Sequence, residues 1–415
     1  MILLDFLYAI LLLCTFPFWV KYIFKEKYRR LLKDRLRPQL PACAEQTIWI
    51  HAVSVGEVRS LKSLIQKLGE RKQQVILSVT TPSGFEFARK EYPTLHVIHS
   101  PFDLSFVIRR FIRAINPKLV VFNELEVWPN WISLLHRKKI PMLLINGRIS
   151  ESAFGRYRLF SFFLWRFLRR IDGFLVQNNI YKKRFQQLKI PAEKILVCGN
   201  IKADEADRTL KQLPARQDVL THLRLGPRKK RIIALASSHS SSEKIVVPAI
   251  GPLSADFLFI IVPRHVQRAG AIARQLEQYG LKYAFYSDPL PIPPDIQVLI
   301  YDRMGYMIPI MSIADIIFMG GTHDPKIGGH NLYEPAALGK LILGGPYYNN
   351  FPDIGSELES SGVYRQINSS SELVDFASRF QNIDLQRIGT KALEAVLNRK
   401  GSLACTLEQI QRYIG

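Results

Sequence analysis

The sequence predicts an α/β protein of two domains, each on a parallel sheet, facing one another across a cleft behind an N-terminal membrane-anchor helix. Three observations predict it. Short apolar runs alternate with amphipathic stretches along nearly the whole chain, as strands joined by crossover helices require. The alternation lapses once, between Asp204 and Lys230, where charges crowd and Pro214 and Pro227 break the pattern, and then restarts. The first 20 residues are almost wholly apolar, and a dense basic flank follows them.

From Ile2 to Val20 the chain reads ILLDFLYAILLLCTFPFWV, about the length that spans a bilayer, with Asp5 its single charge. Lys21, Lys25, Lys27, Arg29, Arg30, Lys33, Arg35 and Arg37 come next, and cations at that density stay on the cytoplasmic side. A cleaved signal peptide carries its charges ahead of the apolar run and ends at a small-residue site, and neither feature is present. Residues 1–20 are therefore expected to form an uncleaved single-pass anchor and 21–46 a basic juxtamembrane segment, with the rest of the chain cytoplasmic. Pro17 can kink that helix or let it lie obliquely in the interface.

Short apolar runs mark the strands of the first domain, 47–204. They are Thr47 to Val53, Gln74 to Thr80, Leu119 to Phe122, Met142 to Ile145, Phe174 to Val176 and Ile195 to Val197. Helices are expected between them at Val58 to Leu68, Pro82 to Glu91, Leu104 to Ile115, Trp128 to Arg137, Ser161 to Arg170 and Ile180 to Leu188. Residues 205–230 read as a polar linker. The second domain, 231–384, repeats the design. Its strands are expected at Ile232 to Ala236, Phe257 to Val262, Gln297 to Tyr301, Ile316 to Met319 and Leu341 to Leu343, with helices at His265 to Tyr279 and Leu332 to Leu338 among others. Residues 385–415 are expected to form one long C-terminal helix.

A chain of 415 residues with 47% hydrophobic and 22% charged residues exceeds a single core and is not disordered. Its net charge of +22 predicts attraction to a polyanion, whether nucleic acid, an anionic membrane surface or a phosphorylated substrate. Cys14, Cys43, Cys198 and Cys405 form no CxxC pair, which argues against a structural zinc site and a disulfide framework and for a reducing compartment.

In open parallel sheets ligands bind outside the carboxyl ends of the strands, so chemistry is sought there. The first strand exits into His51-Ala52-Val53-Ser54-Val55-Gly56-Glu57-Val58. Gly56 lets a substrate approach the backbone, with Ser54 beside it. Glu57, at a helix N-terminus, either takes a proton from an attacking hydroxyl or complements the helix dipole. In Phe122-Asn123-Glu124-Leu125-Glu126-Val127-Trp128-Pro129-Asn130, the acids Glu124 and Glu126 either organise a site or cap the following helix. Asn146-Gly147-Arg148 and Gly199-Asn200-Ile201-Lys202 deliver Arg148, Asn200 and Lys202 to further strand ends, where cations suit an anionic substrate. In the second domain, Ser237, Ser238 and His239 lead into a helix and offer hydroxyls and free N–H groups to a phosphate. Pro263, Arg264 and His265 add a guanidinium that grips phosphate bidentately. A glycine-rich loop containing Gly321 runs on through Asn331 to Glu334, placed to accept from ribose hydroxyls. Three such segments together read as a nucleotide site.

No Walker A or GxGxxG fingerprint follows the first strand, so redox Rossmann chemistry is disfavoured. No Asp-x-Asp clamp or HExxH spacing occurs, and catalysis without a metal or cofactor is expected. The stretch Gly155 to Arg170 interleaves aromatic and apolar residues with arginines, the composition of an interfacial helix or of a core helix rimmed by arginine.

These segments together resemble the 3-deoxy-D-manno-octulosonic acid (Kdo) transferase family. The resemblance rests on HAVSVGEV at 51–58, ExEVWPN at 124–130, NGRIS at 146–150, GNIK at 199–202, PRH at 263–265 and GGHN with EPA at 328–336. It implies a GT-B fold and an inverting, metal-free transfer of Kdo from CMP-Kdo to a lipid A precursor, lipid IVA, at the cytoplasmic face of the inner membrane. Glu57 is then the base, Glu124 and Lys202 support the active centre, and Arg264, Asn331 and Glu334 hold CMP in the second domain. The sequence departs from the family pattern at Ser240-Ser241-Ser242, at Val266-Gln267 and at Tyr306. A nucleotide-sugar 2-epimerase of the same fold is the rival enzyme, but it has no use for residues 2–20. A basic membrane-anchored binding protein is the rival outside enzymes, and for nucleic acid no separate basic or aromatic-basic motif stands apart from the two domains.

Overall fold

The structure, a computed structural model, describes residues 5, 6, 8, 26–37, 45–210, 213–226, 230–289 and 291–415. The chain divides into two compact units, Met1–Glu205 with Lys400–Gly415, and Ala206–Arg399.

The first unit is built on β1 (Thr47–Ala52), β2 (Val75–Val79), β3 (His96–His99), β4 (Pro117–Asn123), β5 (Met142–Gly147), β6 (Gly173–Val176) and β7 (Ile195–Val197). They pair in parallel in the order β3-β2-β1-β4-β5-β6-β7. The central strands are buried along their length, because helices cover both faces of a doubly wound sheet. Alternation along each strand divides the core into two layers. Trp49, Val120 and Leu144 enter one with Phe111, Phe122 and Trp131, while Ile50, Val121 and Leu143 enter the other. Trp49 and Trp131 meet at 4.5 Å between ring centroids, directly beneath the ends of β1 and β4.

The second unit repeats the plan with β8 (Arg231–Ser238), β9 (Phe257–Pro263), β10 (Tyr283–Phe285), β11 (Val298–Ile300), β12 (Ile316–Met319), β13 (Leu341–Gly344) and β14 (Tyr364–Gln366). Their order is β10-β11-β9-β8-β12-β13-β14, again parallel throughout.

Strands β3, β10 and β14 escaped the sequence reading, and all three are sheet edges. Edge strands are covered on fewer sides, so HVIH and YRQ carry polar residues that break the apolar run of a central strand, and YAF, only three residues long and half-buried, is too short to mark one.

Two helix starts are capped from a distance. The Asp103 carboxylate accepts from the Asn130 and Trp131 N–H groups at 3.0 and 2.8 Å, capping helix Pro129–Arg137. Asp5 accepts from the Ser105 N–H at 2.9 Å and from the Asn130 amide at 2.9 Å, so the one charge of the apolar N-terminal run caps helix Ser105–Ile115. Tyr8 reaches Asp103 at 3.1 Å.

Several expectations need correction. Residues 205–230 are largely helical, in Ile201–Leu210 and Arg216–His222, because Val219 and Leu223 stand four apart and bury among the charges. The single C-terminal helix is two, Leu385–Leu397 and Ser402–Ile414, broken at Gly401, whose φ of 104° no helical residue adopts. The second of these helices belongs to the first unit, where Asp204 caps it through the Gly401 and Leu403 N–H groups. That return brings Cys405 to Cys198 at the end of β7, with Cα atoms 5.6 Å apart, and the two form a disulfide across 207 residues. The expectation of no disulfide therefore fails at this pair, because sequence spacing does not report the proximity that chain return creates. The basic segment 21–46 contains helix Glu26–Leu36, and its Arg35 packs 4.3 Å over Phe102 and donates to the Ser100 carbonyl at 3.0 Å. Among the described residues no helix is long and apolar enough to cross a membrane. The expected anchor, 1–20, lies outside the described residues apart from Asp5, Phe6 and Tyr8.

Closing a loop of this length restricts the unfolded chain, so Cys198→Ser with Cys405→Ser should lower unfolding free energy by about 2–4 kcal/mol in a denaturant titration against the oxidised protein. Non-reducing digestion should yield the two peptides joined, and their recovery unlinked would remove the bond.

Candidate active site

The strand order reverses between β1 and β4 in the first sheet and between β8 and β12 in the second, where β11 also inserts between β9 and the edge strand β10, and a crevice opens at the carboxyl ends on either side of a central reversal. The β1 end carries Ser54, Gly56 and Glu57, and the β4 end carries Glu124 and Glu126. The β8 end carries Ser237, Ser238 and His239, and the β12 end carries the glycine-rich loop.

The backbone itself marks these ends. Among the described residues, the non-glycine residues in the left-handed region are Lys72, Asn116, Lys139, Lys189 and Arg224, which terminate helices, together with Glu124, Asn146 and Ser237 at φ 62°, 53° and 53°. Those last three sit at the carboxyl ends of β4, β5 and β8, and sheet register shifts beside Asn146 and Ser237. Strained, bulged strand ends of this kind re-aim side chains at functional sites.

In the first unit Glu124 accepts from Arg148 Nε at 2.7 Å and from Lys202 Nζ at 3.4 Å. Burial pushes the Glu124 carboxyl up, but Lys202 and Arg148 outweigh it and hold the group below the ordinary carboxylate range. Glu57 has the opposite balance. Its carboxylate accepts from the Val53 N–H at 3.0 Å and the Ser54 hydroxyl at 3.1 Å, as an acid in the first turn of helix Val55–Ser60 can. Burial, then the neighbouring charge of Glu124, exceed those bonds and push the group up to about 8. At Gly56 an added Cβ meets nothing nearer than the Ser54 hydroxyl at 4.0 Å, so the fold itself leaves room above this turn.

Glu126 bridges His51 Nε2 at 3.0 Å and the Trp128 indole N–H at 2.9 Å, while His51 Nδ1 meets the Ser78 hydroxyl at 3.0 Å. Neither Glu124 nor Glu126 caps helix Pro129–Arg137, since Asp103 does, which removes the capping explanation for both acids. Ser78 and His51 were not singled out in the sequence, where Ser78 is one polar residue inside an apolar strand. Asn200 donates to Gln177 Oε1 at 3.2 Å and accepts from the Lys202 N–H at 3.0 Å, fixing the turn that presents Lys202.

In the second unit the Ser238 hydroxyl donates to Glu243 at 2.9 Å, and Glu243, wholly buried, pairs with Arg268 at 2.5 Å. Ser238 is thereby turned inward and away from ligand contact, whereas Ser237 reaches only Met307 sulfur at 3.2 Å. His239 stands at the N-terminus of helix Ser240–Leu253, its N–H held by the Ser242 hydroxyl at 3.1 Å. Its Nε2 lies 2.8 Å from His330 Nε2, so one ring donates and the other accepts. Burial first, then the neighbouring His239, Arg264 and His265, push His330 down to about 3, and burial with His265 and Arg264 lowers His239 also. Both rings are neutral near pH 7. Pro263 ends β9 beside Ser238, which leaves Arg264 and His265 exposed just beyond it. Among the described residues no carboxylate pairs with Arg264. Gly321 and Gly329 adopt φ of 75° and 81°, and a Cβ on Gly320 would lie 2.1 Å from the Ser237 carbonyl, so the loop is shaped by its glycines against β8. Asn331 accepts from the Tyr333 N–H at 3.1 Å, and Glu334 occupies the first turn of helix Tyr333–Ala337.

The sequence-predicted residues thus gather in two groups, one in each unit. Residues 24–205 match the model of the 3-deoxy-D-manno-octulosonic-acid transferase (Kdo transferase) family. The chain is similar to the 3-deoxy-D-manno-octulosonic acid transferase of Chlamydophila psittaci, at 31% identity over 81% of this chain and 78% of that protein. It is also similar to the enzyme of that name from Haemophilus influenzae, at 30% identity over 89% and 87%. A bifunctional glycosyltransferase/methyltransferase of Fusobacterium nucleatum is 31% identical over 91% of this chain, which spans only 57% of that longer protein. Among solved structures, a glycosyltransferase from Rickettsia africae matches with a TM-score of 0.61 at 17% identity, over 90% of this chain and 99% of that one. UDP-GlcNAc 2-epimerase from Neisseria meningitidis matches with 0.62 at 14% identity, over 89% and 100%. At those identities the two structures show the fold alone, two parallel-sheet α/β domains of GT-B type. The sequence relatives decide the family: this chain is a glycosyltransferase enzyme belonging to the Kdo transferases.

Proposed function

We propose that this enzyme transfers Kdo from CMP-Kdo to a hydroxyl of a lipid A precursor, lipid IVA, with inversion and with Glu57 as general base. The observation that carries the reading is the carboxyl of Glu57, at the end of β1 beside the strand-order reversal, raised to about 8 while its neighbour Glu124 is held ionised. Two acids with opposed environments are what separates a proton acceptor from a charge organiser. Glu57 takes the proton of the acceptor hydroxyl as the hydroxyl oxygen attacks the ketosidic carbon, and the bond to CMP breaks with the electron pair leaving on the phosphate. The exposed Arg264 and the N-terminus of helix Ser240–Leu253 meet that charge, with Asn331 and Glu334 holding the nucleoside. The cations Arg148 and Lys202, positioned by Glu124, suit the Kdo carboxylate, with Ser54, Gly56 and Asn200 lining the acceptor side. The reading needs no metal.

Glu57→Gln and Glu57→Ala should lower product formation at least about 100-fold with CMP-Kdo and lipid IVA, with or without chelator, while CMP affinity stays near normal. Near-normal turnover of either variant would sink the assignment. Since the base must be ionised, kcat/KM should rise with pH to a plateau above about 8, and an acid limb near the ordinary carboxylate value of 4.5 would contradict it. The linkage runs the other way for stability. A carboxyl whose folded pKa is raised loses stability as pH climbs from about 4.5 to about 8, so the advantage of Glu57→Gln in thermal midpoint should grow across that window and vanish below it.

The apolar run 2–20 and the cations after it support a single-pass anchor in the inner membrane with both domains cytoplasmic. The full chain should resist alkaline carbonate extraction from membranes, and its release into the supernatant would argue for surface attachment alone.

A further inference from the structure

Two histidines far apart in sequence meet head to head in the second unit. His239 starts helix Ser240–Leu253 at the end of β8, and His330 stands in the glycine-rich loop after β12. Their Nε2 atoms are 2.8 Å apart, the ring planes differ by 12°, and the ring centroids are 5.1 Å apart. That centroid spacing is little more than the nitrogen separation and the two ring radii together, so the rings lie nearly in line, edge to edge, as a straight N–H···N bond requires. The loop is fitted to this contact, since a Cβ on Gly321 would lie 3.1 Å from Cδ2 and 3.2 Å from Nε2 of His330. Such a bond has a fixed proton capacity. Two neutral rings hold one proton between their Nε2 atoms. One further proton, at Nδ1 of the donor ring, makes that ring an imidazolium and leaves the bond intact, whereas another after it would set two N–H groups against each other.

The charges around the pair are mostly positive. Arg264 and His265 bear on both rings from the turn after β9, with the His265 ring 6.2 Å from that of His239. Glu243 and Arg268 bear on His239 from behind, and these two pair with each other at 2.5 Å. In that company both rings stay uncharged near pH 7, and an anion arriving beside them reverses the balance.

We propose that His239 and His330 act as one proton-accepting unit for the nucleotide phosphate, taking a single proton from solvent when a phosphomonoester occupies the site and returning it when that group leaves. This role rests on the second unit being the CMP site. In CMP-Kdo the phosphate is a diester with one negative charge. When the bond to Kdo breaks, its electron pair stays on the phosphate oxygen and the charge becomes two. Arg264 matches the first charge, and the protonated pair matches the second. The proton lost by the acceptor hydroxyl goes to Glu57 in the first unit, so the pair draws its own from water and gives it back on release of CMP. Stabilisation that grows with the charge of the leaving group acts on the transition state more than on the bound donor. The pair thus distinguishes the phosphate of the product from that of the donor by charge alone.

Calorimetric titration of the full chain in non-ionic detergent micelles, with CMP in two buffers of different ionisation enthalpy, counts the protons taken up on binding. At about pH 7.5, where CMP is already close to a dianion, about one proton per CMP is expected, with none for cytidine and well under one for the methyl ester of CMP, which carries a single charge. By linkage, the association constant of CMP should fall about tenfold from about pH 7 to about pH 8, and that of the methyl ester much less. His330→Gln and His239→Gln should each abolish the uptake and flatten that slope, while Arg264 still holds the nucleotide. CMP bound by the unaltered protein without proton uptake would overturn the proposal and leave the donor site standing. Uptake that survives both variants would overturn it as well, since the proton would then reside elsewhere. Failure of the unaltered protein to bind CMP would remove the donor site and this role together.

Discussion

The reversal of strand order within each parallel sheet is the constraint on which the site depends. Strands to one side of β1 and to the other side of β4 send their crossover helices to opposite faces, so no connection covers the ground between the two strand ends. The chain there can place polar groups at the rim of an otherwise dry sheet. In the first unit that rim stands on the Trp49 and Trp131 pair, with His51 5.0 Å from Trp131, which keeps the base of the site rigid and apolar. In the second, β8 and β12 repeat the device, and Gly320 lets the two strand ends close to a distance that any side chain would prevent.

On that frame, electrostatics divides labour among the acids. Glu124 lies in a pocket that ought to favour its protonated form, yet two cations hold it ionised and in one orientation. Among the described residues no cation donates to Glu57, so burial and then the ionised Glu124 raise it. The pairing of Lys202 and Arg148 with Glu124 is therefore part of what tunes Glu57, and the acid and its organiser belong to one coupled group. In the second unit two neutral imidazoles, His239 and His330, lie beside the exposed Arg264, whose charge helps to keep both rings neutral.

The first unit is closed by the end of the chain. Helix Ser402–Ile414 returns to it, is capped by Asp204 and is bonded through Cys405 to Cys198, the residue just before the turn that presents Asn200 and Lys202. The support of that turn thus comes from residues about 200 positions away in sequence. At the other end of the chain Asp5 performs the same office for helix Ser105–Ile115, which gives a structural reason for a charge inside an apolar run.

Central strands were legible in the sequence because burial on both faces writes a continuous apolar run, and the strand ends were legible because glycine, acid and cation cluster there against that background. Edge strands β3, β10 and β14 were not, since polar residues break β3 and β14 and β10 is only three residues long. Glu57 was ambiguous between capping and catalysis, and it does accept bonds from Val53 and Ser54 as a first-turn acid can. What the linear chain determined was periodicity, hence the two α/β domains, and the motifs that identify the family. Only tertiary structure decided that Asp103 and Asp5 cap helices far from them, that Cys198 meets Cys405, that Ser238 turns inward to Glu243, and that Glu57 and Glu124 titrate in opposite directions. Periodicity is a property of neighbours along the backbone, whereas a cap, a disulfide or a shifted pKa depends on distances through space that the backbone alone does not fix.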